Sequence, residues 1–160
     1  YIDPDGLPLN TLPIKATNDG WKIEGCPHHG PDLSIDKQNV AHMAWFTQGS
    51  EHKGLMYGRF NFSDKQTHSI KTIDDSAGAS RPQVYVNGKD VYLMWKRFNG
   101  TTMDLLVNHS QDGGKQWTES QIIATTSGGS DHPDWVAYKS KLYAAWHTQI
   151  EGLKLISVSQ

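Results

Sequence analysis

Apolar positions along the chain fall in short alternating runs of strand length, and the runs recur. Leu33-Ser34-Ile35 and Val40 to Trp45 flank a polar turn at Asp36 to Asn39. Gln83 to Val86 and Val91 to Trp95 flank Asn87-Gly88-Lys89-Asp90, and Trp135 to Tyr138 and Leu142 to Trp146 flank Lys139-Ser140-Lys141. Alternation at every second residue, bounded by Asn-Gly or similar turn formers, predicts β-hairpins. A third run follows each hairpin, at Gly54 to Phe60, Asp104 to Ser110 and Leu153 to Ser159. A fourth is visible at Ser69 to Ile73 and Gln121 to Thr125, and Ile14-Lys15-Ala16-Thr17 echoes it ahead of the first unit. No stretch sustains the i, i+3, i+4 apolar spacing of a helix.

The repeat is regular. Pro31, Pro82 and Pro133 are 51 residues apart, and Trp45, Trp95 and Trp146 are 50 and 51 apart. Four strands in ~51 residues is the period of a propeller blade. The expected fold is therefore all-β, a β-propeller of four-stranded antiparallel sheets with about three blades' worth of strands. Residues 1–30 are expected to hold the last strand of a preceding blade and a long top-face loop. Residues 31–73 form one blade, 82–125 a second, and 133–160 an incomplete third. Three blades cannot close a ring, so the expected partner is the remainder of a parent propeller or a second copy of this chain.

Composition narrows the function classes. The net charge of −2 and the absence of a basic run argue against nucleic acid as a partner, and apolar stretches are too short for a membrane span. One cysteine, Cys26, rules out an intrachain disulfide.

One motif carries a family resemblance. Ser110-Gln111-Asp112-Gly113-Gly114-Lys115-Gln116-Trp117 fits the Asp-box pattern Ser-x-Asp-x-Gly-x-x-Trp at all four defining positions. With the repeat around it, the chain resembles the sialidase-like (BNR-repeat) β-propellers, in particular bacterial exo-α-sialidase-like proteins. The resemblance implies that Ser110, Asp112, Gly114 and Trp117 are a folding element on the rim opposite the active face. It also implies a secreted or periplasmic location. The box is eroded in the first unit, where Phe60, Phe62, Asp64 and Thr67 stand at its four positions. Ser159-Gln160 repeats Ser110-Gln111, which reads as a box cut short in a truncated chain.

Binding chemistry is expected on the loops that lead into the innermost strands and those that join second to third strands. These loops carry Trp21, Cys26, His28, His29, Arg81, Arg97, His132 and His147. Trp21, Arg81, Arg97 and His147 are the ligand-binding candidates. Cys26, His28, His29 and His132 offer soft and imidazole ligands of the kind that suit copper or zinc, although their spacing matches no zinc signature. Sialidases hold the substrate carboxylate with three arginines, and Arg81 occupies the type of position where one of them sits. Its counterparts in the neighbouring units are Gly30 and His132. No catalytic residue is assigned. The leading expectation is a non-catalytic scaffold that binds a small ligand, a glycan or a protein. The alternatives are part of a sialidase-type glycoside hydrolase and a periplasmic copper- or zinc-binding protein.

Overall fold

A computed structural model describes residues 13–24 and 30–158, and among these residues every regular element is a β-strand. The strands are β1 (Asp32–Ile35), β2 (Val40–Gln48), β3 (Lys53–Asn61), β4 (Gln66–Asp74), β5 (Ala79–Asn87), β6 (Asp90–Phe98), β7 (Met103–Ser110), β8 (Gln121–Thr126), β9 (Asp134–Tyr138), β10 (Lys141–Thr148) and β11 (Gly152–Ser157). They form three antiparallel meanders, β1-β2-β3-β4, β5-β6-β7-β8 and β9-β10-β11. The chain is a partial β-propeller, as the repeat predicts.

Alternation along β6 explains how the sheets stack. Val91, Leu93 and Trp95 face the first sheet and join Ala44, Leu55, Tyr57 and Val84 in one core. Met94 points the other way and packs with Leu105, Val107, Ala144 and Trp146 against the third sheet. Trp95 and Trp146 are wholly buried. Burying an indole of this size contributes roughly 4–6 kcal/mol of hydrophobic stabilisation before entropy is counted.

The repeated tryptophans also hold the loops. The Trp45 Nε1 donates to Asp19 Oδ2 and the Trp95 Nε1 to Asp74 Oδ2, each at 2.8 Å. The Trp146 Nε1 donates to the Asp131 carbonyl at 3.3 Å. In each unit the segment that leads into an innermost strand is thereby tied to the end of the second strand.

Three local expectations change. Ile14 to Thr17 form no strand. No described strand pairs with them, so their backbone lacks the ladder a strand requires, and Thr67 Oγ1 instead donates to the Ala16 carbonyl at 2.5 Å. Pro82 does not open its strand as Pro31 and Pro133 precede theirs, because β5 begins at Ala79. A proline inside a ladder is accommodated here by a register shift between Ser80 and Gln83, with Arg81 at φ 53°. Lastly, Tyr143 pairs with Ser157 where Tyr92 pairs with His109, so Val158, not Ser159, stands at the position of Ser110. The turn between β10 and β11 is tighter than its counterpart, which slides the third run by one residue. Ser159 and Gln160 themselves lie outside the described residues.

Candidate functional site

The innermost strands β1, β5 and β9 all start at one end of the sheet stack, where Asp32 at the head of β1, Arg81 and Gln83 within β5, and His132 just ahead of β9 come together. Asp32 Oδ2 accepts the Val84 N–H at 2.8 Å, which ties the start of the first sheet to the second. Gln83 Nε2 lies 3.0 Å from His132 Nε2 and Arg81 Nη1 lies 3.4 Å from His132 Nδ1, which ties the second to the third. Arg81 and His132, both singled out from the sequence, are thus neighbours at this end of the sheet stack.

The electrostatics of this patch are mixed. Burial raises the Asp32 carboxyl above the usual range and the Asp134 charge adds to this, while the Val84 N–H and His132 oppose it. Burial lowers the His132 pKa, helped by Arg81 and Lys96. A neutral imidazole has one lone-pair nitrogen. The shorter Gln83 contact takes it, and that amide also donates to the Pro82 carbonyl at 3.2 Å. Beneath them Lys96 is 4% exposed and donates to the Ser130 and Asp131 carbonyls at 2.8 and 3.1 Å. Burial first, then Arg81, pulls its ammonium down to about 8. Lys96 therefore fixes the loop that delivers His132.

Asp32, Gln83, Asp134 and Lys96 were absent from the sequence candidates. The signal was present: Asp32, Gln83 and Asp134 each follow one of the repeated prolines, and Lys96 follows a repeated tryptophan. Equivalent positions in three units that all hold polar side chains mark one end of the sheet stack.

The other candidates are dispersed. Arg97 pairs with Asp74 at 3.6 Å, the same carboxylate that receives the Trp95 indole. Trp21 is exposed, its indole N–H donates to the Phe46 carbonyl at 3.0 Å, and it borders an apolar hollow with Leu33, Met43 and Trp45. His147 lines a shallow open groove with Asp131 and Gln149. Cys26, His28 and His29 lie outside the described residues. Among the described residues no group of three or more His, Cys, Asp or Glu side chains is placed to hold a metal ion.

The Ser110–Trp117 turn sits at the opposite end of the sheets, beside the β5–β6 turn, where the Gly113 N–H donates to the Lys89 carbonyl. Ser110 Oγ donates to Asp112 Oδ1 at 2.8 Å and accepts the Gly114 N–H at 2.9 Å. Asp112 Oδ1 also accepts the N–H groups of Lys115 and Gln116 at 3.0 and 2.9 Å. These bonds, led by that from Gln116, hold the Asp112 carboxyl below the usual range. The Ser110, Asp112 and Trp117 side chains are each hydrogen-bonded within the turn, which suits a folding element.

No protein-family model matches the chain, and no curated protein matches its sequence. Solved structures do match by shape. An α-L-arabinanase of Penicillium chrysogenum, solved with arabinobiose, superposes with a TM-score of 0.65 at 14% identity, over 92% of this chain and 53% of that one. An α-L-arabinofuranosidase of Fusarium graminearum, solved with an iminosugar inhibitor, gives 0.61 at 15% identity, over 89% and 47%. An exo-1,5-α-L-arabinanase from a bovine ruminal metagenomic library gives 0.52 at 17% identity, over 80% and 51%. The chain therefore spans about half the length of the structures it matches, and at these identities the likeness establishes the fold. None of the three is a sialidase.

Proposed function

We propose that this chain forms about half of a glycan-binding β-propeller, with the sugar seated at the channel mouth against Asp32, Arg81, Gln83, His132 and Asp134. The observation that carries the reading is the convergence of residues at or near the starts of three innermost strands into one polar patch. The patch offers guanidinium, amide and imidazole beside carboxylates, which is the mixture that paired sugar hydroxyls, each donor and acceptor, can satisfy. The rigid sheets beneath supply the preorganisation that loop-borne sites require. The arabinobiose and iminosugar complexes of the structural neighbours are in keeping with this reading.

A sialidase-type site needs several guanidinium groups around a carboxylate. Here Arg81 shares its mouth with Asp32, Asp131 and Asp134, and Arg97 is occupied by Asp74. A neutral sugar suits that balance better. The rest of the propeller, from a parent polypeptide or a second copy, would cover the two open faces and complete the channel wall.

Asp32 favours a second reading, glycoside hydrolysis. Burial raises its carboxyl above the usual range beside a second carboxyl group, that of Asp134, and a carboxyl shifted in that direction is what general acid catalysis of glycosidic cleavage uses. The test is calorimetric titration with arabino-oligosaccharides and with sialyllactose. Arabino-oligosaccharides are expected to bind, and Arg81→Ala to weaken them about tenfold, or about 1.4 kcal/mol. Binding confined to sialyllactose would restore the sialidase reading, and binding of neither would sink the glycan reading. Release of arabinose that stops in Asp32→Asn would establish the enzyme.

A further inference from the structure

We infer that the second sheet carries a docking surface, formed by Tyr92, Val107 and His109, for a glycine-bearing turn with a tryptophan, delivered by a hairpin that adds to the outer edge of β11. The inference starts from what the Ser110–Trp117 turn does inside the chain. Besides closing its own hairpin, it reaches across to the first sheet. The Trp117 ring meets Tyr57 edge-on, with centroids 4.8 Å apart. Gly114 lies against the Tyr57 hydroxyl so closely that a Cβ there would overlap it. That hydroxyl is in turn 2.6 Å from His42 Nδ1. The turn of one blade is thus a wedge seated on its predecessor.

The seat repeats. By strand register, His42, Tyr57 and Arg59 of the first sheet correspond to Tyr92, Val107 and His109 of the second, since His42 pairs with Arg59 as Tyr92 pairs with His109. In the first sheet this place is filled by Gly114 and Trp117. In the second it is an open groove of about 840 Å³, bordered by Tyr92, Val107, His109, Thr118 and Val158. Tyr92 and His109 stack face to face at 4.2 Å and 5°, and His109 Nε2 is 2.9 Å from Asp90 Oδ1, so the floor is already rigid. The groove lies alongside the end of β11, which pairs with β10 on one side and with no described strand on the other. A hairpin entering there would add its strand to β11 and lay its turn on Tyr92 and His109, which repeats the geometry between the first two sheets. With Val107 in place of Tyr57, the hydroxyl that meets Gly114 in the first sheet has no counterpart at that position. The incoming aromatic ring meets Val107 and the stacked Tyr92 and His109 rings, and the requirement for glycine shifts from steric exclusion to the turn's backbone.

The probe is a synthetic peptide that copies residues 110–126, the turn and fourth strand of the second blade. It is titrated against the whole chain by two-dimensional NMR. Saturable shifts at Tyr92, Val107, His109 and Ser157 are expected, weakened at least tenfold when the peptide carries Trp117→Ala. His109→Ala in the chain should weaken binding by several-fold. Because the peptide variants leave the chain untouched, a misfolded chain variant cannot rescue or obscure the result. Absence of shifts at millimolar peptide, affinity indifferent to the peptide tryptophan, or shifts confined to the exposed Leu153 and Leu155 face would each overturn the proposal.

Discussion

Gly114 shows how one residue joins local geometry to packing between sheets. Its φ of +83° is in the left-handed region, and its missing Cβ is the space taken by the Tyr57 hydroxyl. Gly113 has a similar φ of +73° but open space around it. The pair separates backbone strain from steric exclusion. Gly113→Ala is expected to cost about 1 kcal/mol, and Gly114→Ala about 2–4 kcal/mol because overpacking adds to strain. Urea unfolding of the two variants checks this, and equal losses would mean that the Tyr57 contact yields freely. Arg81 is the counterpart at the other end, a non-glycine residue at positive φ on a bulge that aims its side chain at the polar patch.

At the scale of elements, a buried polar chain links three parts of the first sheet. Asp36 in the β1–β2 turn accepts the N–H groups of Gln38 and Val40 at 2.8 and 2.9 Å. Its other oxygen lies 3.3 Å from His42 Nε2 on β2, and His42 Nδ1 meets Tyr57 on β3. The consistent arrangement is a neutral ring that donates from Nε2 to Asp36 and accepts the Tyr57 O–H at Nδ1. Burial lowers the His42 pKa from 6.5, with Arg59 acting in the same direction, although Asp36 opposes both. Burial also raises the Tyr57 phenol well above its usual range. The sign for stability follows. Below pH 6.5 the unfolded chain takes up a proton at this histidine before the folded chain does, so His42 removes stability as pH falls and has no such effect above that range. The urea midpoint is expected to drop between pH 7.5 and 5.0, and to drop less in His42→Gln. An unchanged pH dependence in that variant would place the effect elsewhere.

For the whole molecule, register equivalence identifies the two outer faces. Leu153 and Leu155 are 71% and 63% exposed, yet their counterparts Leu105 and Val107 are buried beneath the third sheet. Leu33 and Ile35 are likewise exposed where Val84 and Val86 pack against the first sheet. Each outer face is one half of an interface that the chain elsewhere completes. Contiguous apolar surface of this kind drives association. Light scattering coupled to size-exclusion chromatography is expected to show self-association that rises with concentration, reduced when Leu153 and Leu155 are both changed to Lys. A monomer at all concentrations would show that the faces tolerate water.

The strands, their grouping in fours and the burial of Trp45, Trp95 and Trp146 were legible in the sequence, because period-two alternation and a 51-residue repeat are local and periodic signals. The hydrogen bonding of the Ser110 and Asp112 side chains was legible for the same reason, since their partners lie within the eight residues of the turn. Other features depended on tertiary structure. Ile14 to Thr17 have strand-like character, but a strand exists only where a ladder partner stands beside it. The slide of β11 depended on a hairpin in which Tyr143 and Ser157 pair three residues closer in sequence than Tyr92 and His109 do, which pairing reveals and spacing conceals. The polar patch joins Asp32, Arg81 and His132 across about 100 residues of sequence, and only the stacking of sheets brings them together. Alternation tells each side chain which face of its own sheet to occupy, whereas the meeting of three strand ends is set by how those faces pack on one another.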